Sequence, residues 1–247
     1  MKSDPSEFPL VIMCGGRGSR LRPATDLIPK ALVPVNGRPI IDYVVSFFAE
    51  AGVRDCHLCV GYRGDQIRSH FEKKQLDMNI RFSNSGDEAG ILKRIYALRE
   101  NLSDRFIVAY CDTFIDVDVA QLHDFHVDAG APITLVTAPI QSPFGLVENG
   151  EAGQVVLFDE KPVRDYFIGY FVMERWLLEG LSEELVTQSD GAGIVALFQQ
   201  LVNKQQLAAF RHEGLNITFN TDTERVQAEE KLEAFFTLRE INNSFGE

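Results

Sequence analysis

A chain of 247 residues with 45% apolar content and a formal net charge of −12 is long enough to bury one large α/β core. Such acidity excludes a general nucleic-acid binder, which needs a basic face, but allows an anionic small molecule in a locally basic cleft. No stretch approaches the ~18 consecutive apolar residues of a membrane-spanning helix, so no membrane partner is expected.

The first nine residues, MKSDPSEFP, are polar and lack the apolar segment of a secretory signal, which points to a cytoplasmic protein. Residues 10–13 are an apolar run that reads as a buried strand and leads into Gly15, Gly16, Arg17, Gly18, Ser19 and Arg20. Glycines here let backbone N–H groups approach an anion, and consecutive N–H groups can form an anion-binding concavity. Between residues 15 and 40 five basic residues (Arg17, Arg20, Arg22, Lys30, Arg38) face one acid (Asp26), a local balance of +4 in an acidic chain. That combination suggests a polyphosphate site. The pattern is not a P-loop, because Lys-Ser/Thr does not follow the last glycine. It is not the dinucleotide fingerprint, because Leu21 stands where a third glycine or alanine is required. Taken bare, a strand followed by GG-x-G is also an ordinary strand-to-loop connection.

Four prolines (Pro23, Pro29, Pro34, Pro39) keep the next segment out of a regular helix. Residues 40–51 read as a helix ended by Gly52. CHLCVGY is a second strand, RGDQIRSHFEKK a second helix, MNIRFSN a third strand and ILKRIYALREN a third helix. RFIVAYCDT is an apolar strand ending in an acid, residues 118–129 a helix, and PITLVTAPI another strand. Strands and helices alternating at crossover spacing predict a mixed, mostly parallel sheet with helices on both faces. After about residue 138 the alternation breaks. FGLVENGEAGQVVLFDEKP reads as a hairpin turning at Asn149-Gly150 or Ala152-Gly153. YFIGYFVME is a further strand, IVALFQQLVNK a helix, LAAFRHEG and NITFN short strands, and residues 223–241 a long charged helix. No repeat or linker interrupts the chain, which predicts a single domain over 1–247.

The four cysteines (Cys14, Cys56, Cys59, Cys111) sit in apolar strand-like runs. On a strand, Cys56 and Cys59 point to opposite faces and no second ligand pair exists, so buried free thiols in a reducing compartment are expected. His123-x-x-His126 has metal-like helical spacing, but a satisfied or exposed helix face is the better reading. Phe47-Phe48 and Phe235-Phe236 are expected in the core or in a subunit contact of a homo-oligomer.

The strings GGRGSRLRPAT and PKALVPVNGRPII resemble the signature of sugar-1-phosphate nucleotidyltransferases, GGxGxRLxPxT…PKxLxPVxGxPxI. YCDTFIDVD, FG at 144–145, FDEKP at 158–162 and Gly169-Tyr170-Phe171 extend the resemblance. With LKR after the third strand and FH after the aspartate, the chain is most similar to the glucose-1-phosphate cytidylyltransferases. The resemblance is densest over residues 10–71 and thins after about 180. It implies a Rossmann-like fold of the nucleotide-diphospho-sugar transferase type, with a nucleotide-binding half (about 8–137) and an acceptor-binding half (about 138–247). It implies a nucleoside triphosphate, CTP favoured, and a sugar 1-phosphate as substrates, a role in nucleotide-sugar and polysaccharide biosynthesis, and Mg²⁺ as cofactor.

By the same resemblance, Arg20 would clamp the β/γ-phosphates, Lys30 would meet the α-phosphate or the incoming phosphate, and Asp112 would hold Mg²⁺. Gly15, Gly16, Gly18 and Gly90 would border the nucleotide. Gly145, Glu160 and Lys161 would serve the acceptor, Glu160 at a sugar hydroxyl pair and Lys161 at the phosphate. The bland alternatives are that Asp112 caps the next segment and that Glu160-Lys161 is a surface pair.

Three positions depart from the family. Where a second metal aspartate is usual the chain has Asn220, with Asp222 as the alternative ligand. Phe167-Ile168-Gly169 replaces the Asn-x-Gly that meets a sugar hydroxyl, so the acceptor can differ from glucose. Asp190 is a loose match for an acidic acceptor residue. These departures keep two other readings open: the same chemistry on another phosphorylated acceptor, such as an unusual sugar or phosphocholine, and a nucleotide-binding regulatory subunit with weakened turnover.

Overall fold

The structure is a computed structural model that describes residues 4–244, with side chains through residue 237. Its first strand, β1 (Leu10–Cys14), is buried along its whole length. After three one-turn 3-10 helices, Pro34–Val35 and Arg38–Pro39 (β2 and β3) pair across Asn36-Gly37, both left-handed as such a tight turn demands. The chain then alternates through α1 (Ile40–Glu50), β4 (Asp55–Val60), α2 (Gly64–Phe71), β5 (Asn79–Asn84), α3 (Ile91–Tyr96) and β6 (Arg105–Tyr110). A short β7 (Thr113–Ile115) precedes α4 (Val119–Ala129), β8 (Ile133–Gln141), the hairpin β9 (Leu146–Asn149) and β10 (Val155–Asp159), and β11 (Val163–Glu174). The last elements are α5 (Glu183–Val186), α6 (Ala192–Asn203), β12 (Leu207–Arg211), β13 (Asn216–Thr218) and α7 (Asp222–Ser244).

Seven strands form the central sheet in the order β12-β8-β11-β6-β1-β4-β5. Only β11 runs antiparallel to its neighbours. Side chains alternate across the sheet as strand geometry requires. From β1, Leu10, Ile12 and Cys14 join a core with Phe48, Ile67, Leu122 and Leu232, contributed by α1, α2, α4 and α7. Val11 and Met13 join a second core with Leu92, Ile95, Leu185, Leu197 and Leu201 from α3, α5 and α6. The expected mostly parallel sheet, covered on both faces, is therefore present. All four cysteines are buried and free.

Several boundaries differ from the sequence reading. The strand expected to reach Asp112 stops at Tyr110, and β7 leaves the sheet to pair with β13. The helix expected over residues 91–101 ends at Tyr96, because Leu98 and Leu102 turn back into the second core through a 3-10 turn. The four-residue α5, capped by Ser182, lies where the sequence offers no periodic pattern. Asp118, not Asp112, is the helix cap of this region, accepting from the Gln121 amide at 2.9 Å. No helix among the described residues is long and apolar enough to cross a membrane.

Candidate active site

The fold opens a cleft where it should, at a switch of strand order. From β1 the chain moves out to β4 and β5 and then returns to β6 on the other side, so the loops after β1 and β6 diverge. Met13 pairs with Tyr110 in that parallel register, which brings the glycine turn and Cys111-Asp112 to the same edge. The cleft between them has a volume of about 610 Å³, well within the range of small-molecule sites. Its walls include Gly15, Gly16, Gly18, Arg20, Lys30 and Asp112, so these sequence-selected residues come together.

Gly18 is left-handed (φ 62°), and a Cβ there would lie 2.9 Å from the Lys30 Cβ. The glycine thus lets the Lys30 stem pass under the turn, fixed also by Thr25, whose hydroxyl donates to the Gly18 carbonyl at 2.9 Å. The Lys30 ammonium ends in a pair with Asp112, and both side chains are largely buried (11% and 20% exposed). It also donates to the Asn220 amide oxygen at 3.1 Å. Asn220 reaches this point because β13 pairs with β7 in the register Thr218 to Thr113, two residues short of it. Asp222 does not: its carboxylate is exposed and bonds Arg225 at 2.8 Å.

The Asp112 carboxylate and the Asn220 amide oxygen therefore meet at the Lys30 ammonium, which is the cation between them here. One carboxylate plus a neutral oxygen fits Mg²⁺, which fills its remaining positions with waters and phosphate oxygens. No group of three His, Cys, Asp or Glu suited to a metal occurs among the described residues. His126 is spent on Thr134 (2.7 Å) and Glu174 (3.3 Å), and His123 stacks on Phe8, so their helical spacing serves packing.

Gly90 is not itself in the cleft wall, though Ala89 and Ile91 beside it are, and it is glycine for a packing reason: a Cβ there would lie 2.2 Å from the Gln188 carbonyl oxygen, where the 188–190 segment crosses. That segment carries Asp190, left-handed at φ 47°, into the cleft wall. Gly145, Glu160 and Lys161 lie elsewhere. Gly145 and Glu160 are neighbours around the Phe158 ring, Lys161 (φ 49°) sits exposed at the link between β10 and β11, and none of the three is part of the cleft wall. Phe167 meets Tyr110 and Phe198 edge-on and Ile168 is buried, and neither is part of the cleft wall.

Polar wall residues to which the sequence reading gave no role include Asp87, Glu88, Arg94 and Tyr110. Arg17 bonds Glu88 at 3.0 Å and lies 3.9 Å from Asp87, closing the lip over the glycine turn. Burial, with Asp112 nearby, pushes the Tyr110 phenol up to about 12, so it stays protonated at neutral pH. The acidic pair Asp87-Glu88 lies in the polar stretch SGDEAG. Its position opposite Arg17 depends on a contact seventy residues away in the chain.

A family profile described as Nucleotidyl transferase matches residues 10–214. Glucose-1-phosphate cytidylyltransferase of Salmonella typhi is 27% identical over 89% of this chain and 93% of its own length. Mannose-1-phosphate guanyltransferase of Candida albicans is 30% identical over 83% of this chain and 59% of its length. Among solved structures, HddC from Yersinia pseudotuberculosis superposes with a TM-score of 0.71 at 19% identity, covering 91% of this chain and 99% of that one. A UDP-glucose pyrophosphorylase complexed with UDP-glucose gives 0.68 at 15% identity, covering 92% and 98%. These two likenesses concern the fold.

Proposed function

This chain belongs to the nucleotidyl transferase family, and from that premise we propose that it joins CTP to a sugar 1-phosphate, releasing pyrophosphate. Sugar-1-phosphate nucleotidyl transfer is the activity that its relatives support as a class. CTP is favoured because the Salmonella relative matches along nearly its whole length and because of the LKR motif at 92–94. The observation that carries the reading is Lys30 held between Asp112 and Asn220 in the cleft wall beside the glycine turn.

In this reaction a phosphate oxygen of the sugar phosphate attacks the α-phosphorus in line. One P–O bond forms, the bond to the bridging oxygen breaks, and pyrophosphate leaves with that electron pair. Attacker and target are both anions, so the protein's task is to neutralise charge and align oxygens. Backbone N–H groups around Gly15, Gly16 and Gly18 face the triphosphate, and Arg20 offers its planar fork to the β- and γ-phosphates. Lys30 sits where the α-phosphate and the incoming phosphate meet. Asp112 and Asn220 would hold Mg²⁺, which when bound offsets phosphate charge. Glu160 and Lys161 take the sugar and its phosphate from the arm formed by β9, β10 and the start of β11.

A second reading keeps the donor and changes the acceptor. Phe167 and Ile168 present no amide to a sugar hydroxyl, and their apolar setting suits an acceptor with fewer hydroxyls. A screen of four nucleoside triphosphates against a panel of sugar 1-phosphates and phosphocholine, read by pyrophosphate release, tests both. The first reading expects turnover with CTP and glucose 1-phosphate, the second with CTP and another acceptor. Absence of pyrophosphate release in every combination would contradict the function.

A further inference from the structure

Beneath the glycine turn lies a buried cation that the chemistry above leaves unused. Arg94, on α3, is 4% exposed, yet no carboxylate reaches it as an ion-pair partner among the described residues. Its guanidinium donates instead to four carbonyls: Ala89 at 2.9 Å, Val60 at 2.6 Å, Gly86 at 2.8 Å and Asp87 at 3.3 Å. Two glycines make room for it. A Cβ on Gly15 would lie 2.3 Å from the Arg94 Cζ, and one on Gly61 would lie 2.8 Å from Nη2. The guanidinium is therefore pressed against the backbone of the glycine turn and forms part of the cleft floor.

Buried charges are ordinarily matched by a counter-charge, and carbonyl dipoles meet that need only in part. An anion bound in the cleft would supply the rest. The same fork fixes three carbonyls of the 86–89 loop, and that loop carries Asp87 and Glu88 to the lip opposite Arg17. Lysine cannot do this, because a point charge on a flexible stem has no planar fork to hold four oxygens at once.

We propose that Arg94 is a positioning residue for the nucleoside triphosphate, setting the 86–89 loop against the glycine turn and placing positive charge behind it. This rests on the nucleotidyl-transfer reading for the identity of the ligand. The role is one-sided: donor binding depends on Arg94, and acceptor binding does not.

The test compares wild type, Arg94→Met, Arg94→Lys and Gly61→Ala. Affinity for CTP and for GTP is measured by calorimetry, and KM for CTP and for glucose 1-phosphate by pyrophosphate release. Loss of charged hydrogen bonds should weaken nucleotide binding at least about tenfold in both Arg94 variants. KM for the sugar phosphate should stay within about twofold, because the acceptor residues make no contact with this fork. Gly61→Ala keeps the cation but crowds both its Nη2 and the Gly15 carbonyl, each 2.8 Å from a Cβ there, so it should give a donor-selective loss as well. If Arg94→Met fails to fold, Arg94→Lys, which keeps the charge and loses the fork, decides the matter.

A merely structural Arg94 would lower the thermal midpoint while leaving nucleotide affinity intact, or would raise both KM values together; either result overturns the proposal. Wild-type protein that binds a triphosphate but releases no pyrophosphate with any acceptor would overturn the reaction and leave this inference standing if the variants still lose affinity. Wild type that binds none of the four triphosphates overturns both.

Discussion

The donor cleft and the β9–β10 arm are built on opposite plans. Around the cleft several selected residues are pinned: Gly18 against the Lys30 stem, Gly15 against Arg94, Asn220 delivered by the β13–β7 pairing. The arm is a two-stranded sheet whose strands pair only with each other. Its apolar side chains face outward, with Val155, Val156 and Phe158 each more than half exposed. An isolated hairpin of this kind is marginal by itself. The contrast teaches that the proposed triphosphate end of the site is set by packing within the core, whereas the proposed acceptor end hangs on a segment whose position packing does not dictate. Donor-side substitutions should accordingly strike turnover, and arm substitutions should strike acceptor binding.

The largest effect is expected at Asp112. Asp112→Asn should lower turnover a hundredfold or more, about 2.7–4 kcal/mol of lost transition-state stabilisation. Steady-state rates at saturating Mg²⁺ measure it, with circular dichroism to show the fold intact. Lys161→Ala comes next and breaks the symmetry between the regions. The KM for sugar phosphate should rise about tenfold, the low end for a charged hydrogen bond at an exposed site, while the KM for CTP moves less than twofold.

A smaller change sharpens the metal side. Asn220→Asp places a second carboxylate beside Lys30 and Asp112, and should lower the Mg²⁺ needed for half-maximal rate a few-fold. Asp222→Asn should leave that titration unchanged, because Asp222 is engaged with Arg225 outside the cleft.

The smallest effect concerns the pin that holds the β12–β13 link onto β7. Burial disfavours a charged His212, but the Asp116 carboxylate at 3.1 Å outweighs it and the imidazole pKa is raised. Burial likewise works against the Asp116 charge, yet His212 draws its pKa down. A raised His pKa stabilises fully below its unfolded value of about 6.5 and is lost as pH rises through the folded value. The lowered Asp pKa stabilises above about 3.9 and is lost as pH falls. His212→Gln should therefore reduce the thermal midpoint by a few degrees more at pH 6 than at pH 9, measured by calorimetry.

Much of the donor side was legible in the sequence because its evidence is local. The glycines, Arg20 and Lys30 lie within sixteen residues of one another, and the strand before Asp112 is a continuous apolar run. What stayed hidden was long-range. Arg94 is an ordinary basic residue on a short helix until the fold brings Gly15 and Gly61 against it. Gly90 looked like a nucleotide contact, and its packing reason, the crossing of the 188–190 backbone, lies about a hundred residues away. Asn220 stood out only through the family resemblance, and the choice between it and Asp222 needed the β13–β7 register. On the arm, the turn at 149–153 was readable from its glycines, but nothing in the sequence said that the hairpin would stand alone.

The central claim is that the cleft activates the α-phosphorus of a nucleoside triphosphate toward a sugar phosphate. It is tested most directly by following label from CTP carried separately on the α- and γ-phosphates, with glucose 1-phosphate and the sugar-phosphate panel as acceptors. The account predicts that α-label appears in a nucleotide sugar while γ-label is recovered only in pyrophosphate. Transfer of γ-label to the acceptor, or release of γ-label as inorganic phosphate with no α-labelled sugar product, would contradict it.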